Sequence, residues 1–414
     1  MSESRDEVDV HLDDLDLGHA ILGWLRRERR SGKSVISFEF SSAWLERRED
    51  VVLDPSLGLY QGAQYFDLLP GIFSDTSPDR WGRHLLERRE AVLARREGRR
   101  PKRLEDWEFL VAVSDELRMG ALRLVDEKGQ YVSSDKRLIP PLARLAVVQH
   151  FAQRAERGEA LAPKDEDEEI ALLVAPGASL GGARPKANFL ADDGTLWIAK
   201  FPSRNDNRDS GAWEYVLNRL AAAAGITVPE CRLLELAQGP RTFAAKRFDR
   251  GNGDRRLFTS AMTLTGKQDH EKASYLDVAQ SITQYGSRSR SELDEDLEEL
   301  FRRVGFNVMT AHRDDHLRNH GFLITKRGWR LSPAFDLNPV PELKEHTLAL
   351  DEANPTPDLE LVRASAPYYR IQRGRAEEIL TEVRKAVDRW PEIAREIGIN
   401  RDESALMADA FAGD

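Results

Sequence analysis

Residues 304–323 read Val-Gly-Phe-Asn-Val-Met-Thr-Ala-His-Arg-Asp-Asp-His-Leu-Arg-Asn-His-Gly-Phe-Leu, an apolar run that meets a dense polar cluster and then turns apolar again. Inside it, His312-Arg313-Asp314 and Asn319 have the H-R-D-x-x-x-x-N spacing of a phosphotransferase catalytic loop. In such a loop the aspartate accepts or orients the proton of the attacking hydroxyl, and the asparagine holds a metal ion. Phe335-Asp336-Leu337 follows and supplies a second metal carboxylate. Mg²⁺ takes oxygen ligands, keeps several waters and bridges phosphates, so one amide and one carboxylate suit it. Asp314 is therefore the candidate catalytic residue, and Asn319 and Asp336 are the candidate metal ligands.

Upstream, Leu196-Trp-Ile-Ala-Lys200-Phe-Pro alternates like a strand and ends on a lysine, where a kinase places the lysine that reaches the α- and β-phosphates. A helix over 210–224, with Trp213, Val216, Leu217 and Leu220 on its apolar face, offers Glu214 as the partner of that lysine. Between residues 177 and 186 runs Gly-Ala-Ser179-Leu-Gly181-Gly182-Ala183-Arg184-Pro-Lys186. Small residues there let backbone N–H groups approach phosphate oxygens, and the two cations add charge.

Two other chemistries use the same residues. His312, His316 and His320 recur every four residues, which on one helix face suits a transition metal, although residue 313 is arginine where a zincin helix carries glutamate. Gly177-Ala-Ser179-Leu-Gly181 matches the G-x-S-x-G of a hydrolase, but Pro185 and an alternating strand pattern follow where a nucleophile elbow needs a helix.

The spacing predicts strands over 7–12, 19–28 and 34–40, the last two joined as a hairpin, then a short helix from Ser42 and a helix over 78–97. A further helix is expected over 104–115, a closing hairpin over 121–132 and an amphipathic helix over 140–158. Strands are expected at 172–175, 187–191, 196–201, 231–237 and 242–248, and beyond residue 270 the pattern is almost wholly helical. This layout divides the chain into an α+β part over 1–138, a linker helix and acidic loop over 139–169, a β-rich lobe over 170–248 and a helical lobe over 249–414, with a hinge near 246–250. The fold class is α+β, two-lobed and protein-kinase-like.

The chain of 414 residues carries a net charge of −10, which argues against binding nucleic acid over its whole surface. Arg95, Arg96, Arg99, Arg100, Lys102 and Arg103 form a local basic exception. A single cysteine, Cys231, excludes an intrachain disulfide, and neither a leader-like apolar segment nor a membrane-length apolar run is seen. These features point to the cytoplasm.

Five segments occur together in order: Ser179-Leu-Gly-Gly-Ala-Arg-Pro-Lys186, Ile198-Ala-Lys200-Phe-Pro, Lys246-Arg-Phe-Asp-Arg250, Asp314-Asp-His316-Leu-Arg-Asn319 and Pro333-Ala-Phe-Asp336. They resemble the HipA family, the serine/threonine-kinase toxins of bacterial toxin–antitoxin systems. Leu69-Pro-Gly-Ile-Phe-Ser-Asp and Asp79-Arg-Trp81-Gly-Arg83 are similar to that family's N-terminal subdomain, so the likeness covers nearly the whole chain.

The resemblance implies an ATP- and Mg²⁺-dependent kinase in which Asp314 matches the catalytic aspartate, Asn319 and Asp336 the Mg²⁺ ligands and Lys200 the ATP lysine. It implies that Gly181, Gly182, Ala183, Arg184 and Lys186 belong to the loop over the phosphates, that Lys246 to Phe248 form the nucleotide hinge segment, and that His316 and Arg318 face the nucleotide. Ser179 matches an autophosphorylated serine whose added charge expels the phosphate loop. The chain departs from the family pattern at Lys246, where a glutamate is expected, and at Arg318, where a lysine is expected. The implied partners are a HipB-like helix-turn-helix antitoxin, DNA only through that antitoxin, and a protein substrate, which in the family includes an aminoacyl-tRNA synthetase. A kinase-fold binding module that acts as an antitoxin-bound corepressor is the alternative.

Overall fold

Strands β1 (Arg5–Asp14), β2 (Gly18–Arg30) and β3 (Lys33–Phe40) form consecutive antiparallel pairs. Their alternation explains why: Val8, Val10 and Leu12 on β1, and Ile36, Phe38 and Phe40 on β3, are buried on one face. Short strands β4 (Gln64–Phe66) and β5 (Leu122–Val125) close the two edges, in the order β4-β3-β2-β1-β5. The computed structural model describes residues 5–30, 33–48, 51–134, 139–159, 182, 184–251 and 253–412. The chain divides into two compact units, Met1–Ala199 with Asp249–Thr259, and Lys200–Phe248 with Ser260–Asp414.

In the first unit the sheet is accompanied by helices α1 (Ser42–Arg48), α2 (Gly71–Ser74), α3 (Arg80–Arg96), α4 (Asp106–Ala112) and α5 (Leu145–Glu156). Asp79 caps α3 by accepting from the Gly82 amide at 2.9 Å, which satisfies an otherwise orphaned N–H. Strands β6 (Lys186–Leu190) and β7 (Leu196–Lys200) are neighbours joined by a turn whose Gly194 has φ +77°, a conformation that favours glycine. Two buried carboxylates in this unit are met by arginines. Asp115 accepts from Arg123 and Arg255, and the fully buried Asp249 accepts from the Gly120 amide at 2.8 Å and from Arg250 at 2.6 Å.

The second unit is built on α6 (Ser210–Ala223), the antiparallel strands β8 (Cys231–Leu234) and β9 (Thr242–Lys246), and a mainly helical remainder. That remainder contains α7 (Ala261–Thr265), α8 (Tyr275–Tyr285), α9 (Arg290–Met309), α10 (Leu359–Ser365), α11 (Arg373–Val387), α12 (Trp390–Glu396) and α13 (Arg401–Met407). Helix α9 is the axis of the unit: Leu297, Leu300, Phe301 and Val304 are fully buried at helical spacing. The tail clamps α6, because Trp213 packs against Trp390 and Phe411 and its indole N–H donates to Glu403 at 2.8 Å. Among the described residues no helix is long and apolar enough to cross a membrane.

One expectation needs correction. The stretch after residue 270 is not helical throughout: β10 (Gly321–Thr325) and β11 (Gly328–Leu331) form an antiparallel hairpin directly after the loop 310–320. Its apolar runs are too short for periodicity to separate strand from helix. The expected strand over 172–175 and the acidic run 165–169 lie outside the described residues.

Candidate functional site

The site grows from the end of β7. Trp197, Ala199 and Phe201 are buried on one side of the strand, so Lys200 projects from the other. Glu214, 3% exposed, stands one turn into α6 and accepts a hydrogen bond from Lys200 Nζ. The N-terminus of α6 is fixed by Asp209, which accepts from the Ala212 amide at 3.2 Å and from the Arg241 backbone and side chain at 3.0 and 2.7 Å. Lys200 Nζ also donates to Asp336 Oδ1 at 2.5 Å. Burial works to lower the lysine pKa, but the Asp336 and Glu214 carboxylates outweigh it and hold the ammonium above its usual range.

Asp336 sits at φ +60° in the segment that follows β11, and its Oδ1 also accepts from Asn338 Nδ2 at 3.2 Å. A left-handed backbone at a non-glycine residue is strained and persists only where its surroundings impose it. Here the surroundings are specific. Phe335 packs on Phe248 with ring centroids 5.6 Å apart, the Ala334 amide donates to the Thr227 carbonyl, and His312 Nδ1 lies 2.8 Å from the Asn338 carbonyl.

Helix α9 ends at Met309, and Ala311 turns the chain at φ +46° into an extended loop. Asp314 is exposed on that loop. Partial desolvation pushes its carboxyl pKa up; His316 and His312 oppose the rise, while Asp336 and Asp315 add to it. Leu317 to Asn319 form a single 3₁₀ turn that brings Asn319 back beneath the loop, where its Nδ2 approaches the Asp314 carbonyl at 3.4 Å. Asn319 is 5% exposed, and its buried Oδ1 accepts no hydrogen bond among the described residues. The orphaned amide oxygen of Asn319 and the carboxylates of Asp314 and Asp336 are hard oxygen donors, of the kind that Mg²⁺ takes.

Lys200, Glu214, Asp314, Asn319 and Asp336 all lie in the second unit, where Lys200 links Glu214 to Asp336, Asn319 reaches the Asp314 carbonyl and Phe248 packs against Phe335. The remaining predicted residues are placed differently. Lys246 lies 3.8 Å from Glu230, and Arg318 makes a two-pronged contact with the exposed Asp269 at 3.0 and 3.1 Å. His316 is half-buried, with its Nδ1 unpartnered among the described residues. Lys186 is in the first unit, where its ammonium pairs with Asp79 at 2.8 Å and its carbonyl accepts from the Trp81 indole at 3.0 Å. The Asp79-Arg-Trp81 motif is therefore a clasp on Lys186. Gly182 and Arg184 lie in the same unit, whereas Ser179, Gly181 and Ala183 lie outside the described residues.

The histidines are not on one helix face, because α9 ends before them. Among the described residues no cluster of three His, Cys, Asp or Glu side chains is arranged to hold a metal. His320 Nε2 instead donates to the buried Asp315 at 2.8 Å, and Asp315 also accepts from Tyr275 Oη and Asn307 Nδ2, each at 2.8 Å. Burial pushes the Asp315 pKa up, but His320 and the other donors prevail and hold it well below the usual carboxylate range. Sequence reasoning missed this network. Its one signal is Asn307, a lone amide within the apolar end of α9.

Comparison with known proteins identifies the family of the chain. The HipA-like C-terminal domain profile matches residues 178–390, just over half of the chain, and the HipA N-terminal domain profile matches residues 9–125. The chain belongs to the HipA family. Its α+β fold is similar to that of HipA in the Shewanella oneidensis complex of HipA, HipB and operator DNA, with TM-score 0.68 and 16% identity over 98% of this chain and 96% of that one. A partial similarity to the Helicobacter pylori proinflammatory kinase CtkA has TM-score 0.39 and 14% identity, over 56% of this chain and 89% of that one. No curated protein matches the sequence.

Proposed function

We propose that this protein is an ATP- and Mg²⁺-dependent serine/threonine protein kinase that serves as the toxin of a toxin–antitoxin pair. The observation that carries this reading is the lysine at the end of β7 paired with a helix glutamate, as the phosphate-contacting lysine of kinases is, with the Asp336 carboxylate on the same ammonium. Lys200 orients the α- and β-phosphates. Asp314, exposed and with its pKa raised, accepts the proton of the acceptor hydroxyl as the oxygen attacks the γ-phosphorus, and the bond to the β-phosphate oxygen breaks to leave ADP. Asn319 Oδ1 and Asp336 would hold Mg²⁺, which neutralises the phosphate charge when bound.

The similarity to a HipA that assembles with HipB and operator DNA supports a HipB-like helix-turn-helix antitoxin as the partner, with DNA contacted through it. Ser179 is the proposed autophosphorylation site. A second reading, an antitoxin-bound corepressor that needs no catalysis, is separated from the first by nucleotide binding. With ATP and Mg²⁺ at millimolar concentration the melting temperature rises, because a ligand bound to the folded state stabilises it. Mass spectrometry after incubation with ATP finds phosphate on Ser179. No thermal shift would sink the kinase reading; phosphate only at other residues would remove the Ser179 switch and leave the kinase reading intact.

A further inference from the structure

Asp314 and Asp315 are adjacent yet face opposite ways, as side chains do on an extended chain. Asp314 is exposed, while Asp315 is 2% exposed and points into the unit. Its carboxylate is reached by three groups, two from helices and one from the end of its own loop, each at 2.8 Å: Tyr275 Oη at the start of α8, Asn307 Nδ2 in the last turn of α9, and His320 Nε2 just before β10. Asn307 Nδ2 also donates to Tyr275 Oη at 3.1 Å, which closes the network. Three anchors from three directions fix a point on the loop as a tripod does.

The consequence reaches Asp314, Asn319 and the segment that carries Asp336. Asp314 precedes the fixed point directly, and Asn319, adjacent to the His320 anchor, donates back to the Asp314 carbonyl. On the other side of Asp315, His312 faces the Asn338 carbonyl and so ties the loop to the segment that carries Asp336. We propose that Asp315, held by Tyr275, Asn307 and His320, is a positioning residue that sets Asp314 for proton acceptance and Asn319 for Mg²⁺. This inference rests on the kinase reading. Outer groups that orient a metal ligand change metal affinity about 10–100-fold when removed, and a loop displaced by about 1 Å costs about 100-fold in rate.

The test uses the full chain and the substitution Tyr275→Phe, which deletes one anchor with no change of ring shape; Asp315→Asn is the stronger companion. Fluorescent ATP-analogue binding is titrated with Mg²⁺, and phosphate transfer to a generic serine-bearing acceptor protein is measured below the melting temperature. For Tyr275→Phe the half-saturating Mg²⁺ concentration rises at least about threefold and kcat falls about tenfold, whereas KM for ATP stays within about twofold. Asp315→Asn, where it folds, shows the same split more strongly. A Tyr275→Phe protein with a lower melting temperature but the wild-type Mg²⁺ dependence and kcat makes the network purely structural and overturns the inference. A wild-type protein that neither binds the analogue nor transfers phosphate overturns the kinase reading, and this inference falls with it.

Discussion

Lys200 Nζ lies 2.5 Å from Asp336 Oδ1, joining residues 136 apart in the chain, and the same ammonium donates to Glu214. The ion pair is the fulcrum of the site. Lys200→Met leaves the almost fully buried Glu214 without its cation, and breaking a buried pair from one side costs about 3–5 kcal/mol. Denaturant unfolding measures that loss, and the thermal shift with ATP and Mg²⁺ disappears in the same variant. The folded pKa of Lys200 is raised, so its contribution is fully present below the unfolded value and lost only as pH rises through the folded one. The deficit is therefore constant between about pH 6 and 9 and shrinks only above about 10.5. A deficit that varies within the neutral range would place the charge coupling elsewhere.

Asp314→Asn separates stability from chemistry. The folded carboxyl has a raised pKa, so its stabilising contribution is present below the unfolded value of 3.8 and is lost as pH rises through the folded one. At pH 7 the ionised group is held at a disadvantage that the amide does not share. The variant melts no lower than the wild type at neutral pH, and the two curves converge toward acid. The effect is small because the side chain is exposed and solvent screens it. Phosphate transfer is abolished, as radiolabelled ATP reports, and a variant that still transfers at the wild-type rate would show that another group accepts the proton.

Gly211→Ala tests how α6, and with it Glu214, is seated. A Cβ at this position would meet the Arg241 carbonyl oxygen at 2.3 Å, and backbone cannot step aside as a side-chain tip can. We expect a loss of roughly 1–3 kcal/mol, as for other overpacked sites. Gly374→Ala is the control: it lies in α11 with nothing within 4 Å of the new methyl, and it gains up to about 1 kcal/mol from helix propensity. Equal effects of the two substitutions in urea unfolding would mean that α6 is not pressed against residue 241.

Much of the layout was legible because it is written in periodicity. The alternation of β1 to β3, the stripe of α9 and the helix α3 each follow local rules, and the order of Lys200, Asp314, Asn319 and Asp336 pointed to the candidate site. What was not legible depends on tertiary partners. Lys186 and Asp79 stand 107 residues apart, and nothing local tells a lysine in a glycine-bearing segment that it will be clasped by a helix cap. The β10–β11 hairpin was hidden by strands of five and four residues, where apolar runs fit either structure. His320 had no defensible role in the sequence, since its role comes from Asp315, whose inward direction is set by the extended backbone at that point.

His346 carries the last expectation, an acid limit to stability. It is 3% exposed and lies beside His312. Burial, with the nearby His312 adding to it, lowers its pKa to about 4 from 6.5. A depressed folded pKa means that the contribution is present above the unfolded value and lost as pH falls through the folded one. Stability therefore declines from about pH 6.5 downward, by at most roughly 3 kcal/mol near pH 4. His346→Leu replaces the ring with an apolar side chain that cannot be protonated, so its melting temperature stays flatter across that interval while matching the wild type at pH 7. If the two proteins lose melting temperature in parallel between about pH 6.5 and 4, the acid lability belongs to other groups and His346 is only a packing residue.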